Sequence, residues 1–325
     1  MEIVPIWILL TITLAAQTIQ TLLRRVYCNR VSNTNSGYNI LNAVLSAVCA
    51  LTLAACSGFN LPCSNYTLIS AIIFGIITAL GCVFSLVATG IGPLSYTTVI
   101  ISSSTVITAL SGCIFWREQI KITQIIGIAL MIVCLVCSVK KDDNKTKTSL
   151  KWLFMCLIAM LFSGGVGIMQ KIHQSSEHAS ELYAFLVIAF EISTVASLLT
   201  LAFSIKKDKS RVFVNNAGSA PKICLTTAIV GVVSGICVAA CNAINLFLSG
   251  KMPSAVLFPI LNGGSLVIVV VASMILFREK LSLKQWIGII LGAIAVLLLA
   301  CNIRHKIILR SVFRGAHFLS MAIFQ

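Results

Sequence analysis

The chain has 325 residues, of which 58% are hydrophobic and only 10% charged. A soluble domain carries about 25% charged residues, so this composition describes a polytopic membrane protein. Between Arg30 and Arg117 there is no Asp, Glu, Lys, Arg or His, which excludes a secreted disulfide scaffold, a nucleic-acid-binding domain and a single-anchor enzyme, since each needs a substantial water-soluble portion. The formal net charge of +15 lies in short segments between apolar runs, where membrane proteins keep Lys and Arg on the cytoplasmic side; no nucleic-acid partner is expected from it.

A helix crossing the roughly 30 Å hydrocarbon core needs about 20 apolar residues. In chain order that length gives ten spans: Ile3 to Leu23, Tyr38 to Cys56, Tyr66 to Thr89, Leu94 to Trp116, Ile122 to Val139, Trp152 to Gln170, Leu182 to Ile205, Ile223 to Ser249, Pro253 to Phe277 and Gln285 to Asn302. The first run follows Glu2 rather than a basic segment and has no small-residue cleavage pattern after it, so it reads as a span and not a signal peptide. Inside the uncharged stretch the breaks come from turn residues: Gly58, Asn60, Pro62 and Asn65, then Gly90, Gly92 and Pro93. Longer polar loops occur at Lys140 to Leu150 and Lys206 to Lys222. The 13 cysteines fall mostly within apolar runs and read as small packing residues. Cys56 and Cys63 share one polar loop, where pairing in an oxidising compartment is the alternative.

An internal repeat organises these spans. Arg117-Glu118, Gln124, Ile126-Gly127-Ile128 and Leu130 recur as Arg278-Glu279, Gln285, Ile287-Gly288-Ile289 and Leu291 at one constant offset, and Gly90 and Pro93 answer to Gly250 and Pro253. The expected organisation is a five-helix repeat over 1–139, a charged linker over 140–148, a second five-helix repeat over 149–302 and a basic, apolar tail over 303–325. Five is odd, so the second repeat enters the membrane inverted. Inverted repeats mark many secondary transporters, which rock one half against the other around a midplane site.

The segment Lys251-Met-Pro-Ser-Ala-Val-Leu-Phe-Pro259, then Asn262-Gly-Gly, then Phe277-Arg-Glu-Lys-Leu-Ser-Leu-Lys-Gln-Trp-Ile-Gly288 resembles the second half of an EamA-type transporter of the drug/metabolite transporter superfamily, and Trp116-Arg-Glu through Gln124-Ile-Ile-Gly127 is similar to the matching end of the first repeat. The resemblance implies an all-α, ten-helix carrier with a central cavity, moving a small organic metabolite, amino acid or drug across a membrane, and an integral protein of a bacterial inner (plasma) membrane. Two departures stand out: the tail from Ile303 to Gln325 runs past the usual end, and the family gives no reason to expect an acid at Glu191.

Glu191 lies near the middle of the seventh span. An ionised carboxylate there is costly, so it is expected to be protonated or paired, which makes it a candidate for proton coupling or for contact with a substrate amine. A hydrogen bond to a neighbouring helix is the structural alternative. Pro259, Asn262, Gly263 and Gly264 fall within two turns of the ninth span, where proline deletes a donor and glycine weakens the helix. A bend lining a water-filled cavity is expected there. Ser102, Ser103 and Ser104 offer hydroxyls at the equivalent place in the fourth span, Ser103 at its centre. Gln17 and Gln20 on the first span, and Asn242 and Asn245 on the eighth, are each three residues apart and so share a helical face; recognition of a polar substrate and interhelical hydrogen bonding are both open for them. Arg117-Glu118 and Arg278-Glu279 close their spans and read as caps and interface anchors. Gly127, Gly288 and Gly292 are expected to serve close helix packing.

The four histidines fall outside the spans and no nucleophilic, paired-carboxylate or metal-spacing constellation is visible, so no catalytic residue, cofactor or metal is expected. The expected partners are a small-molecule substrate and the lipid bilayer, with the chain a monomer or homodimer. A non-transporting scaffold or receptor is the alternative, followed by an intramembrane enzyme. Lys and Arg concentrate in the loops after the first, fifth, seventh and ninth spans, which places both termini outside, whereas the family more usually has both inside. The repeat makes one prediction independent of that choice. Reporters fused after Val139 and after Asn302 should fall on opposite sides of the membrane, and finding both on one side would remove the inverted repeat.

Overall fold

The computed structural model describes residues 4–30, 35–91, 97, 100–118, 121–137, 150–207, 220–277, and 283, 286–288, 290–295 and 298 of the last span. The linker 140–148, the pair Arg278-Glu279 and the tail 303–325 lie outside the described residues. The chain folds into α1 (Ile6–Arg30), α2 (Asn35–Cys56), α3 (Asn65–Ile91), α4 (Ser104–Trp116), α5 (Ile122–Cys137), α6 (Leu150–Gln174), a 3-10 turn (Ala179–Glu181), α7 (Leu182–Lys207), α8 (Ala220–Lys251), α9 (Ser254–Phe277) and α10 (Trp286–Ala295). There is no strand among the described residues, as hydrocarbon requires when each backbone N–H and C=O must be satisfied within its own segment.

Each expected span overlaps a helix of the described residues, with two differences. Stretches within α1, α2, α3 and α6, the 3-10 turn running into α7, and α8 give six candidate spans long and apolar enough to cross a bilayer, whereas the apolar helices at 100–116, 122–134, 254–269 and 286–295 are shorter. The fourth span, expected as one run, is broken. Ser103 forms a turn, its N–H donating to Ile100 O at 3.2 Å, before α4 begins. Conversely α1 continues to Arg30 and α6 to Gln174, because Arg and Lys are good helix formers and do not interrupt the backbone.

Packing fixes the direction of the helices. Leu9 and Leu10 near the start of α1 meet Ile244 and Leu248 late in α8 and Val256 and Leu257 early in α9. Tyr27 late in α1 meets Leu41 early in α2 and Val230 in α8. The largest cluster joins Leu53 of α2, Phe74 of α3, Phe185 and Leu186 of α7 and Leu246 of α8. The first face of the bundle therefore gathers the starts of α1, α3, α7 and α9 with the ends of α2, α6 and α8. The second face gathers the other ends. Large apolar side chains such as Leu51, Ile69, Phe154 and Val195 are exposed on the outside, where lipid would cover them.

Helix neighbours fall into related sets. α1 packs on α8 and α3 on α6; α2 packs on α8 and α3 on α7; α1 packs on α9 and α4 on α6; α2 pairs with α7 and α4 with α9. Exchanging each helix with the one five places on converts each of these eight pairings into another of them or into itself, whereas the pairings of α6 with α8, α5 with α9 and α7 with α8 have no such counterpart among the described residues.

Close approach of α8 to α2 depends on two glycines. A Cβ on Gly231 would meet Val44, and one on Gly235 would sit 2.9 Å from Leu45 O and closer still to Val48. Backbone cannot give way as a flexible side chain can, so overpacking here should cost about 1–3 kcal/mol. Gly235→Val is expected to lower the thermal unfolding midpoint of the purified protein, whereas an unchanged midpoint would show that α2 and α8 are not held this closely.

Candidate functional site

Serine, threonine and asparagine side chains inside an apolar bundle have two recourses: their own helix or a neighbour. Most described threonines take the first. Thr13, Thr18, Thr52, Thr78 and Thr194 each donate at 2.7–2.9 Å to the carbonyl four residues back. Longer amides have a greater reach and turn inward.

They meet in a central cavity of two lobes. The larger, of about 420 Å³, is lined by Gln17 and Thr21 of α1, Ser102 and Ser104 around the break before α4, Ser163 and Gln170 of α6, Asn242 and Asn245 of α8, and Asn262 and Ser265 of α9. The smaller, of about 190 Å³, is lined by Gln20 and Arg24 of α1, Asn39, Asn42 and Ser46 of α2, Thr78 of α3, Ser193, Ser197 and Thr200 of α7, and again Asn242. Val166 and Asn242 border both lobes, so the two lie side by side. Asn242 Nδ2 donates to Val238 O at 3.0 Å, and its Oδ1 faces Gln170 Nε2 at 3.4 Å. Asn262 Nδ2 donates to Thr105 Oγ1 at 2.7 Å, tying α9 to α4. Gln17 Oε1 and Asn245 Oδ1 are buried without any hydrogen-bond partner, an arrangement that costs about 1–3 kcal/mol per group unless a water or a ligand supplies the donor.

The residues singled out in the sequence divide as follows. Gln17, Asn245 and Asn262 line the larger lobe, Gln20 the smaller, and Asn242 both. Ser103 is half-buried in the turn and lines neither lobe, its neighbours Ser102 and Ser104 doing so instead. Pro259, Gly263 and Gly264 are buried in α9 but border neither lobe. A side chain at Gly263 would run into Met131 of α5, so this glycine is a packing notch and not cavity wall. Gly288 and Gly292 likewise press against Cys134 and Cys137 of α5 and Val267 of α9, and Gly127 is buried in α5. Glu191 is not brought to the cavity. It is exposed on α7, on the outward face it shares with Val195 and Leu198, while Phe190, Ser193 and Ser197 turn inward. Cys56 and Cys63 are both exposed free thiols.

Among the lining and sealing residues that escaped the sequence reading, Arg24, Gln170 and Lys171 all fall at or past the expected ends of spans. Lys171 is the key to the first face. α4 ends with Arg117 in the left-handed region (φ 49°), which redirects Glu118 toward α6 and α9. Glu118 Oε1 pairs with Lys171 Nζ at 3.0 Å and its Oε2 accepts the N–H of Ser254 at 2.8 Å. Lys171 Nζ also donates to Met252 O at 2.9 Å. One carboxylate thus caps the N-terminus of α9, where the helix dipole favours negative charge, and neutralises a lysine. Across the bundle Glu181 Oε2 accepts from Ser64 N–H at 2.9 Å and Ser64 Oγ at 2.8 Å, just before α3 begins. These two acids seal the first face. No group of three or more metal-ligating side chains occurs among the described residues.

Residues 150–301 match the family model of the EamA-like transporter family, and this match together with the apolar helices is that of an integral membrane protein. No curated protein matches the chain. One solved crystal structure superposes with a TM-score of 0.71 over 92% of this chain and 97% of its own, at 11% identity; a likeness at that identity speaks to the fold alone.

The seal makes an energetic prediction. The Lys171 and Glu118 side chains are only 9% and 14% exposed, and removing one partner of such a pair typically costs about 3–5 kcal/mol because the other charge stays buried. Lys171→Met should therefore lower the unfolding midpoint more than the double variant Lys171→Met/Glu118→Gln, in which the amide that replaces the carboxylate still caps α9. Equal losses would show that the ion pair does not hold the face together.

Proposed function

We propose that this protein, with a second half that matches the EamA-like transporter family, is a secondary transporter that carries a small organic metabolite, amino acid or drug across the membrane by alternating access. The two five-helix halves, 1–139 and 149–302, are the moving units, related as inverted repeats. The observation that carries this reading is the cavity itself. Amides from α1, α8 and α9 converge at mid-bundle on a space with unpartnered acceptors, something a scaffold has no use for, and a volume of about 420 Å³ falls in the range of small-molecule sites.

Several features support the mechanism. The exchange-related helix pairings are those that two inverted halves would make. The smaller lobe extends along the second-face ends of α1, α2 and α7 through Arg24, Asn39, Asn42 and Thr200, while the first face is tied by Glu118, Lys171 and Glu181. In this state substrate would enter from the second face. Its release at the first requires the Glu118–Lys171 pair to part, and the break at Ser103 lets the fourth span hinge as it does. The exposed position of Glu191 on α7 gives it no part in substrate contact.

The test is flux in sealed proteoliposomes against a panel of metabolites, amino acids and drugs. At least one compound should exchange across the membrane, and Gln17→Leu and Asn245→Leu should each reduce that exchange about tenfold or more, the effect of losing one buried hydrogen bond. Glu191→Gln should retain it. Flux that survives both Leu substitutions would move the site elsewhere, and loss of exchange in a well-folded Glu191→Gln protein would return Glu191 to the mechanism.

A further inference from the structure

Four carboxylates occur among the described residues: Glu118, Glu177, Glu181 and Glu191. Glu118 is engaged by Lys171, Glu181 by Ser64 and His178, Glu177 is exposed in the connection after α6, and Glu191 is exposed on the outer face of α7. None lines either lobe of the cavity. Lys171 and Arg24 differ in exposure and surroundings: Lys171 is buried, whereas Arg24 is exposed and borders the smaller lobe. Lys171 has its carboxylate and a carbonyl. Arg24 lines the smaller lobe, which no described acid borders, and among the described residues its Nη2 donates to the neutral Asn42 Oδ1, at 3.2 Å. A guanidinium has five donors arranged as a rigid fork, so most of its binding capacity is left uncommitted by this one bond, and Gln20, Ser193 and Ser197 line the same lobe.

The opposite end of the cavity has complementary requirements. Gln17 and Arg24 are seven residues apart on α1, two turns on one face and about 10.5 Å along its axis at 1.5 Å per residue. At the Gln17 end the unpartnered atoms are the two amide oxygens of Gln17 and Asn245, which accept hydrogen bonds. An O–H or N–H satisfies them. A full ammonium finds no described carboxylate there and meets the like charge of Arg24 in the same cavity.

On this basis we propose that the cavity selects a small organic anion: its carboxylate or phosphate ester docks on Arg24 in the smaller lobe, and its uncharged, hydroxyl- or amide-bearing end donates to Gln17 and Asn245 in the larger. The proposal rests on the carrier reading and adds the substrate class to it. Arginine is the residue that reads planar acid groups by paired hydrogen bonds, and no described acid borders the lobe to compete with the one a substrate brings.

The experiment measures thermal stabilisation of the purified full-length protein by ligands of one carbon skeleton and different charge, since a ligand that binds the folded state raises its melting temperature. The probes are gluconate and glucose 6-phosphate as anions, sorbitol as the neutral compound and N-methylglucamine as the cation. An anion should stabilise the protein where sorbitol and N-methylglucamine do not, gluconate or glucose 6-phosphate dominating according to whether the acid is a carboxylate or a phosphate. Arg24→Gln should weaken that binding at least about tenfold, the loss of a charge-assisted hydrogen bond, and Arg24→Lys should keep the preference for anions at lower affinity. Stabilisation by N-methylglucamine or sorbitol equal to that by the anions overturns the proposal in the wild-type protein alone, whatever the variants do. So does an anion effect untouched in Arg24→Gln, or no response to either anion. Parallel flux measurements separate the two levels. Anions that bind through Arg24 but never cross the membrane would sink the carrier and leave the subsite standing, whereas flux of cations or neutral compounds alone would sink the subsite and leave the carrier standing.

Discussion

In hydrocarbon a polar side chain has no water to turn to, and the arrangement of this molecule follows from how each one is satisfied. Hydroxyls reach the carbonyl of their own preceding turn, as Thr13, Thr52 and Thr194 do, and impose nothing on neighbouring helices. Side-chain amides have two donors and two acceptor sites and cannot saturate them locally. Gln17, Asn242, Asn245 and Asn262 therefore point inward from three helices, where packed apolar residues would otherwise be, and the space they share is the cavity. Charges are still more constrained. Lys171 is held by Glu118 on the first face, and Arg24 lies toward the second, where the lobe gives it polar company.

The two faces are consequently unequal. At the first, helix N-termini of α3 and α9 meet the carboxylates of Glu181 and Glu118, so backbone donors, a lysine and two acids satisfy one another at modest cost. Buried ion pairs of this kind add little net stability compared with apolar packing, yet breaking them one partner at a time is expensive. That combination suits a closure which must be firm in one state and separable in another, provided that both partners regain water when they part. Its geometric basis is the left-handed Arg117, which turns the chain back so that Glu118 reaches across to α6 and α9 instead of pointing away from the bundle.

Much of this was legible in the sequence, and the failures have identifiable causes. Length and hydropathy located the helices because a bilayer sets their size, and the repeated Arg-Glu and Gly signatures suggested a division into halves. The paired amides were also visible, since an amide in an apolar run must find a partner; which of the two lobes each would line was not, because Gln17 and Gln20 lie on one helix face but at different depths. Arg24, Gln170 and Lys171 were hidden by the same hydropathy ruler that found the spans, as it ends a helix at the first polar residue while Arg, Gln and Lys, being good helix formers, let the helix continue. Gly263 was read as cavity wall when it is a slot for Met131: glycine marks a close approach without saying what approaches. For Glu191 the obstacle was α7 itself. A helix apolar on all sides offers no amphipathic stripe from which to tell inside from outside, and only packing against α2 and α3 decides it.

The central claim is that one cavity is reached from both sides of the membrane in turn. Ser163 lines the larger lobe and tolerates cysteine with little change in volume. In a protein otherwise free of cysteine and reconstituted in sealed vesicles, Ser163→Cys can be challenged with a membrane-impermeant thiol reagent added to either side. The account predicts modification from both sides, faster from the second face than from the sealed first face, with the slower rate rising when Lys171 is replaced by Met. Modification from one side only, with the Lys171 substitution present and flux intact, would contradict it.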